Sequence, residues 1–129
     1  MNLPVSKRTI AVVDDDTSMT RALARLVQTA GYAVQTYASA TEFLENCAID
    51  TIQCLVLDVQ MPGMDGFELA AALEERGISV PMLFITAHDS PGAREKAAKA
   101  HAQGFFVKPF DPKELLEIIF GILQPGAAG

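Results

Sequence analysis

Basic residues are scarce in this chain. Ten lysines and arginines stand against sixteen aspartates and glutamates, a formal charge of −6. A surface that grips nucleic acid needs a basic field, so direct nucleic-acid binding by this segment is not expected. An acidic domain is suited instead to holding a cation or docking a basic partner. Long apolar runs are also lacking, and none approaches the length that spans a membrane. Lys7 and Arg8 are followed by only four apolar residues, Ile10 to Val13, too few for a signal-peptide core. Cysteine is nearly missing. Cys47 and Cys54 lie seven apart, which matches neither a CxxC redox pair nor a four-ligand zinc site. Two buried free thiols are the expectation, and with them a reducing cytoplasm.

What is present is globular in character. The 129 residues are 50% hydrophobic and 20% charged, enough for one domain with one core. Short β-branched runs alternate with amphipathic stretches. "TIAVV" (9–13) reads as a strand covered on both faces. The next stretch, 18–31, puts Met19, Ala22, Leu23, Leu26, Val27 and Ala30 on one helical face, and Gly31 stops it. Strands follow at 32–37, 54–58, 81–86 and 105–108. Helices fall between them: one capped by Ser39 with Glu42 three later, one over 66–77, and one over 90–104 capped by Ser90 with Pro91 in its first turn. Asp111, Pro112 and Glu114 open the last helix, which carries Leu115, Leu116, Ile118, Ile119, Ile122 and Leu123. Five βα units imply a parallel sheet with right-handed crossovers and helices on both faces. Residues 1–123 form the expected domain, and 124–129, "QPGAAG", look like a linker or frayed tail.

In an open α/β sheet, ligands bind outside the carboxyl ends of the strands. The first strand ends in Asp14, Asp15 and Asp16, the third in Asp58, the fourth in Thr86 and the fifth in Lys108. Acid, acid, hydroxyl and ammonium thus converge on one rim. Asp16 is in place to cap the first helix. Asp58, following Leu55, Val56 and Leu57, must be paired or ligated if buried. Clustered carboxylates repel and raise one another's pKa, and a hard divalent cation such as magnesium removes the conflict. A carboxylate beside magnesium, a hydroxyl and a lysine is suited to attack phosphorus and form an aspartyl phosphate.

The segments "VVDDD", "LVLDVQMPGMDG", "FIT" and "FFVKPF" resemble, in order and over about residues 8 to 123, the receiver domain of bacterial two-component response regulators. That resemblance implies a flavodoxin-like three-layer sandwich with strand order 2-1-3-4-5. It implies Asp58 as phosphoacceptor, served by a histidine kinase or phosphotransfer protein. Asp15, Asp58 and the backbone carbonyl of Gln60 would ligate magnesium, with Asp14 acting through a bound water. Thr86 would hydrogen-bond the phosphoryl group and Lys108 would pair with it. Lys108-Pro109 would be cis, and Phe105 would be the switch aromatic. The Gln60 side chain is expected to be free to modulate water access. His88 would border the site. His101 stands where the family often has glycine. The domain would signal rather than act as an enzyme, with self-catalysed phosphotransfer only, and transcription regulation is the output the style of the motifs suggests.

Two other readings compete. "DDDTS" (14–18) approximates the signature of haloacid-dehalogenase-type phosphatases, with Asp14 as nucleophile and Asp16 as general acid. That pattern leaves Asp58 unexplained. A degenerate receiver used only for docking would not need its full acceptor set. In the helix of 91–103 the inward residues are alanines, chiefly Ala93, Ala97, Ala98 and Ala100, so it should be the least anchored helix. Arg94, Lys96 and Lys99 make it basic, while Asp111, Glu114 and Glu117 make the last helix acidic, a polarity that would suit a two-fold homodimer.

Overall fold

A computed structural model describes residues 8–123. The apolar runs become β1 (Thr9–Val13), β2 (Ala33–Tyr37), β3 (Ile52–Asp58), β4 (Met82–Thr86) and β5 (Gly104–Val107). Between and after them lie α1 (Thr17–Thr29), α2 (Ala40–Asn46), α3 (Gly66–Glu75), α4 (Pro91–Lys99) and α5 (Pro112–Leu123). The strands form one parallel sheet in the order β2-β1-β3-β4-β5. The expected tail at 124–129 lies outside the described residues.

Alternation along the strands divides the core in two. Ala11, Val13, Leu55, Leu57 and Phe84 face α2, α3 and Ala97 of α4. Ile10, Val12, Cys54, Val56, Leu83 and Ile85 face α1 and α5. Three layers result, with β1, β3 and β4 buried on both sides.

Local chemistry sets the boundaries. The Asp16 side chain caps α1, accepting from Ser18 N at 3.0 Å and Met19 N at 3.3 Å. Leu23 and Val27 of the expected α1 face are buried and Met19, Leu26 and Ala30 partly so, but Ala22 is exposed and Thr20, not expected inward, is buried. Thr20 tolerates burial because its hydroxyl donates to the Thr17 carbonyl at 3.0 Å. Ser39 caps α2 through Glu42 N at 3.0 Å, but Glu42 reaches back to Ala38 N at 3.1 Å rather than to the cap residue itself. A complete capping box stands at α3 instead, between Asp65 and Glu68. Helix α4 ends earlier than the pattern suggested, at Lys99, and Ala98 is exposed, so Ala97 is its one buried residue. Cys54 is buried and Cys47 only partly so, and both are free thiols. Burial pushes the Cys54 thiol up to about 12, which keeps it protonated and inert. None of the described helices is long and apolar enough to cross a membrane.

Candidate functional site

Parallel strands all present their carboxyl ends to the same rim, so the four predicted residue sets do converge. Asp14 is wholly buried just beyond β1, Asp58 is buried at the last position of β3, and Thr86 is buried at the last position of β4. Lys108 follows β5, and its backbone N–H donates to the Thr86 carbonyl at 2.8 Å. Carboxylate oxygens of Asp14, Asp15 and Asp58 lie within 4.8 Å of one another. Asp15 is exposed, so the cluster opens to solvent on its side.

Each group has a distinct state. Asp14 is fully engaged: Oδ1 accepts from Asp16 N at 2.9 Å and Oδ2 from Lys108 Nζ at 3.1 Å. Asp58 is not. Its Oδ1 is buried with no hydrogen-bond partner, and Lys108 Nζ stands 3.8 Å away. Burial, and then the neighbouring Asp14 charge, push the Asp58 carboxyl up to about 7, against the opposing pull of Lys108. Burial disfavours the Lys108 charge, but the hydrogen bond and charge of Asp14 and the charge of Asp58 outweigh it and hold the ammonium above its usual range. The result is a buried carboxylate oxygen with no hydrogen bond, in only a long ion pair with a lysine already hydrogen-bonded to another acid. Hard oxygen donors in this arrangement fit a small divalent cation.

The loop after β3 is built around close backbone packing. Val59 N donates to Ile85 O at 2.8 Å, and Gly66 N donates to Val59 O at 3.1 Å. A Cβ on Gly66 would lie 2.5 Å from the Asp58 carbonyl oxygen, so only glycine fits there. Gly63 has φ +77, the left-handed region that favours glycine. Both residues therefore hold the segment that follows Asp58.

Thr86 carries the unexpected contact. Its hydroxyl donates to Gln60 Oε1 at 2.8 Å, and Ala87 N donates to the same oxygen at 3.1 Å. The Gln60 side chain is therefore tied across the rim, a contact the sequence reading did not include. The Thr86 hydroxyl also accepts from His88 N at 3.0 Å, with the His88 carbonyl a second acceptor at 3.1 Å. His88 is exposed and is not among the clustered acids.

Phe105 lies on β5 opposite Phe84, on the same sheet face as Thr86 by alternation, and is partly buried. Arg94 of α4 lies over its ring at 4.9 Å. The same guanidinium is held by Asp89 in two parallel bonds of 2.8 and 3.0 Å. No motif in the sequence signalled this contact, because its partners are eleven positions apart on different elements. Lys108-Pro109 is a cis peptide.

The model of the response regulator receiver domain family matches residues 10–120. The response regulator protein TodT of Pseudomonas putida is 39% identical over 115 residues, covering 89% of this chain and 51% of that protein. The chain thus spans about half the length of the curated relatives it matches. The solved structure of the response regulator StyR has a TM-score of 0.85 at 42% identity, covering 95% of this chain and 62% of that one. A response regulator receiver protein from Burkholderia phymatum has a TM-score of 0.76 at 40% identity, covering 91% and 95% of the two chains.

Proposed function

The chain belongs to the response regulator receiver domain family of two-component signalling, and on that premise we propose that Asp58 takes up the phosphoryl group. The observation that carries this reading is the buried Asp58 Oδ1, without a hydrogen bond and 3.8 Å from Lys108 Nζ. An Asp58 carboxylate oxygen attacks the phosphorus of a phosphohistidine on a kinase or phosphotransfer protein. A P–O bond forms, the P–N bond breaks, and its electron pair leaves on the imidazole nitrogen, which is then protonated. Lys108 pairs with a phosphoryl oxygen and Thr86 donates its hydroxyl to another. Asp15, Asp58 and the Gln60 backbone carbonyl would hold magnesium, with Asp14 acting through a water. Bound there, the ion supplies positive charge for the oxygens of the transferring group.

The same geometry favours Asp58 over the phosphatase reading. Asp16, its general acid, is spent as the cap of α1. Both oxygens of Asp14, its nucleophile, already have donors. The docking-only reading has no support in a site that retains every acceptor group. Mass measurement after incubation with magnesium and a small phosphodonor tests the proposal. Wild type should gain one phosphoryl group and Asp58→Asn none. Labelling that survives in Asp58→Asn and disappears in Asp14→Asn overturns it.

The output is conformational. Thr86 moves toward the phosphoryl oxygens, Phe105 turns into the space released, and α4 shifts. Phosphate biases this equilibrium only by binding the two states differently. The partner is a downstream output domain or protein, with transcription control the favoured role, in the cytoplasm that two free thiols suit. Two copies would pair through α4 and α5. Arg94 and Lys99 are already paired with Asp89 and Glu95, so exposed Ile118 of α5 is the contact such a dimer would bury. Sedimentation before and after phosphorylation reads that step.

A further inference from the structure

We propose that the Gln60 carboxamide is an internal stand-in for the phosphoryl group, occupying the two donors at the end of β4 while Asp58 is unmodified. This rests on Asp58 as phosphoacceptor and goes beyond it. Oε1 of Gln60 accepts from Thr86 Oγ1 at 2.8 Å and from Ala87 N at 3.1 Å. One oxygen, two donors, one of them a backbone N–H: this is also how an enzyme cradles a phosphoryl or oxyanion oxygen. Asp58 and Ile85 are register partners on adjacent strands, so the donors of residues 86 and 87 follow directly beside the acceptor carboxylate. Gln60 is two residues beyond Asp58 and reaches them from the same loop.

The consequence is competition. The Thr86 hydroxyl has one proton. It is shared between Gln60 Oε1 and the His88 carbonyl, and the shorter bond is to Gln60. A phosphoryl oxygen on Asp58 must displace the carboxamide before Thr86 and Ala87 can serve it. Gln60 therefore acts as a positioning residue. It holds Thr86 in its resting place and makes the modified state costlier to reach. The His88 carbonyl remains as a fallback acceptor, so removing the carboxamide orphans no buried hydroxyl and the variant should fold.

The test uses Gln60→Met, which keeps length but lacks the acceptor oxygen, and beryllofluoride with magnesium as a phosphoryl mimic. Three readouts are taken: exchange of the Ala87 amide in the free protein, mimic affinity, and hydrolysis of the phosphoryl group. In wild type the Ala87 amide should be protected, and Gln60→Met should expose it. Mimic affinity should rise about threefold to tenfold, the worth of one net hydrogen bond. In a Thr86→Ala background that gain should shrink, because half of the displaced contact is already gone. Unchanged affinity together with changed hydrolysis would show that Gln60 only screens water and would overturn the stand-in. Failure of wild type and both variants to bind the mimic would instead indict the site itself. An Ala87 amide that exchanges equally in wild type and Gln60→Met overturns the inference alone.

Discussion

Arg94 and Phe105 are in face contact, with the guanidinium 4.9 Å from the ring centroid. The contact joins α4 to β5 on the side of the sheet that Thr86 also faces. It matters because α4 has so little else holding it: Ala97 is its one buried residue. Phe105 is held from outside by a residue of the very helix expected to move.

Helix α4 should therefore show the fastest hydrogen exchange of the five helices before phosphorylation, and the largest change afterward. Arg94→Ala should speed exchange in α4 further, since it removes both the ring contact and the tie to Asp89. Thr86→Ala should accept phosphate yet mute the change. A maximal change in α1 instead would place the coupling on the other face of the sheet.

The state of Asp58 gives a pH dependence with a definite sign. Its folded carboxyl titrates near 7, above the usual 3.8, because burial and Asp14 oppose its charge. The folded state then binds the extra proton between those values. Stability of the metal-free protein should fall as pH rises across that window and level off above it. Melting curves in chelator should show the slope in wild type and lose it in Asp58→Asn. Magnesium should restore stability most at the alkaline end, by about 1.4 kcal/mol at ten times its dissociation constant. Equal magnesium shifts in wild type and in the Asp15→Asn, Asp58→Asn double variant would count against the metal site.

Gly66→Ala should be costly both to the fold and to the site. Its Cβ would meet the Asp58 carbonyl oxygen at 2.5 Å, and backbone cannot swing away as a side chain can. A loss of about 1–3 kcal/mol is expected from overpacking of this kind. Denaturant melts should show it, and the phosphorylation rate should fall in the surviving folded fraction, because the Asp58 backbone is what gets pushed.

His101 should be replaceable by glycine with a gain. It follows α4 with φ +59, a left-handed backbone that an L side chain enters at a cost. His101→Gly should stabilise by about 0.5–1 kcal/mol, visible as a rise in melting temperature. A fall would mean that the exposed imidazole holds a contact worth more than the strain.

How much of this was legible in the chain depends on range. Alternation of strand and helix runs was readable because each element's pattern is local. The boundaries were less so. Glu42 passes over Ser39 for Ala38, and the complete capping box belongs instead to Asp65 and Glu68, whose spacing is the same. In α1, period alone places Ala22 inward, whereas the structure exposes it and buries Thr20.

The placement of the rim acids, Thr86 and Lys108 was determined by the sequence itself, since in a parallel sheet the carboxyl ends of all strands, with the residues just after them, lie at one edge. The resting state of that rim was decided only by the tertiary structure. Whether Lys108 leans to Asp14 or Asp58 depends on sub-ångström placement across three strands, 3.1 Å against 3.8 Å. The same holds for Gln60, whose carboxamide meets donors 26 and 27 residues away, and for Arg94 over Phe105. Such contacts follow no period along the chain, because they are set by how β3, β4, β5 and α4 stack and not by any one of them.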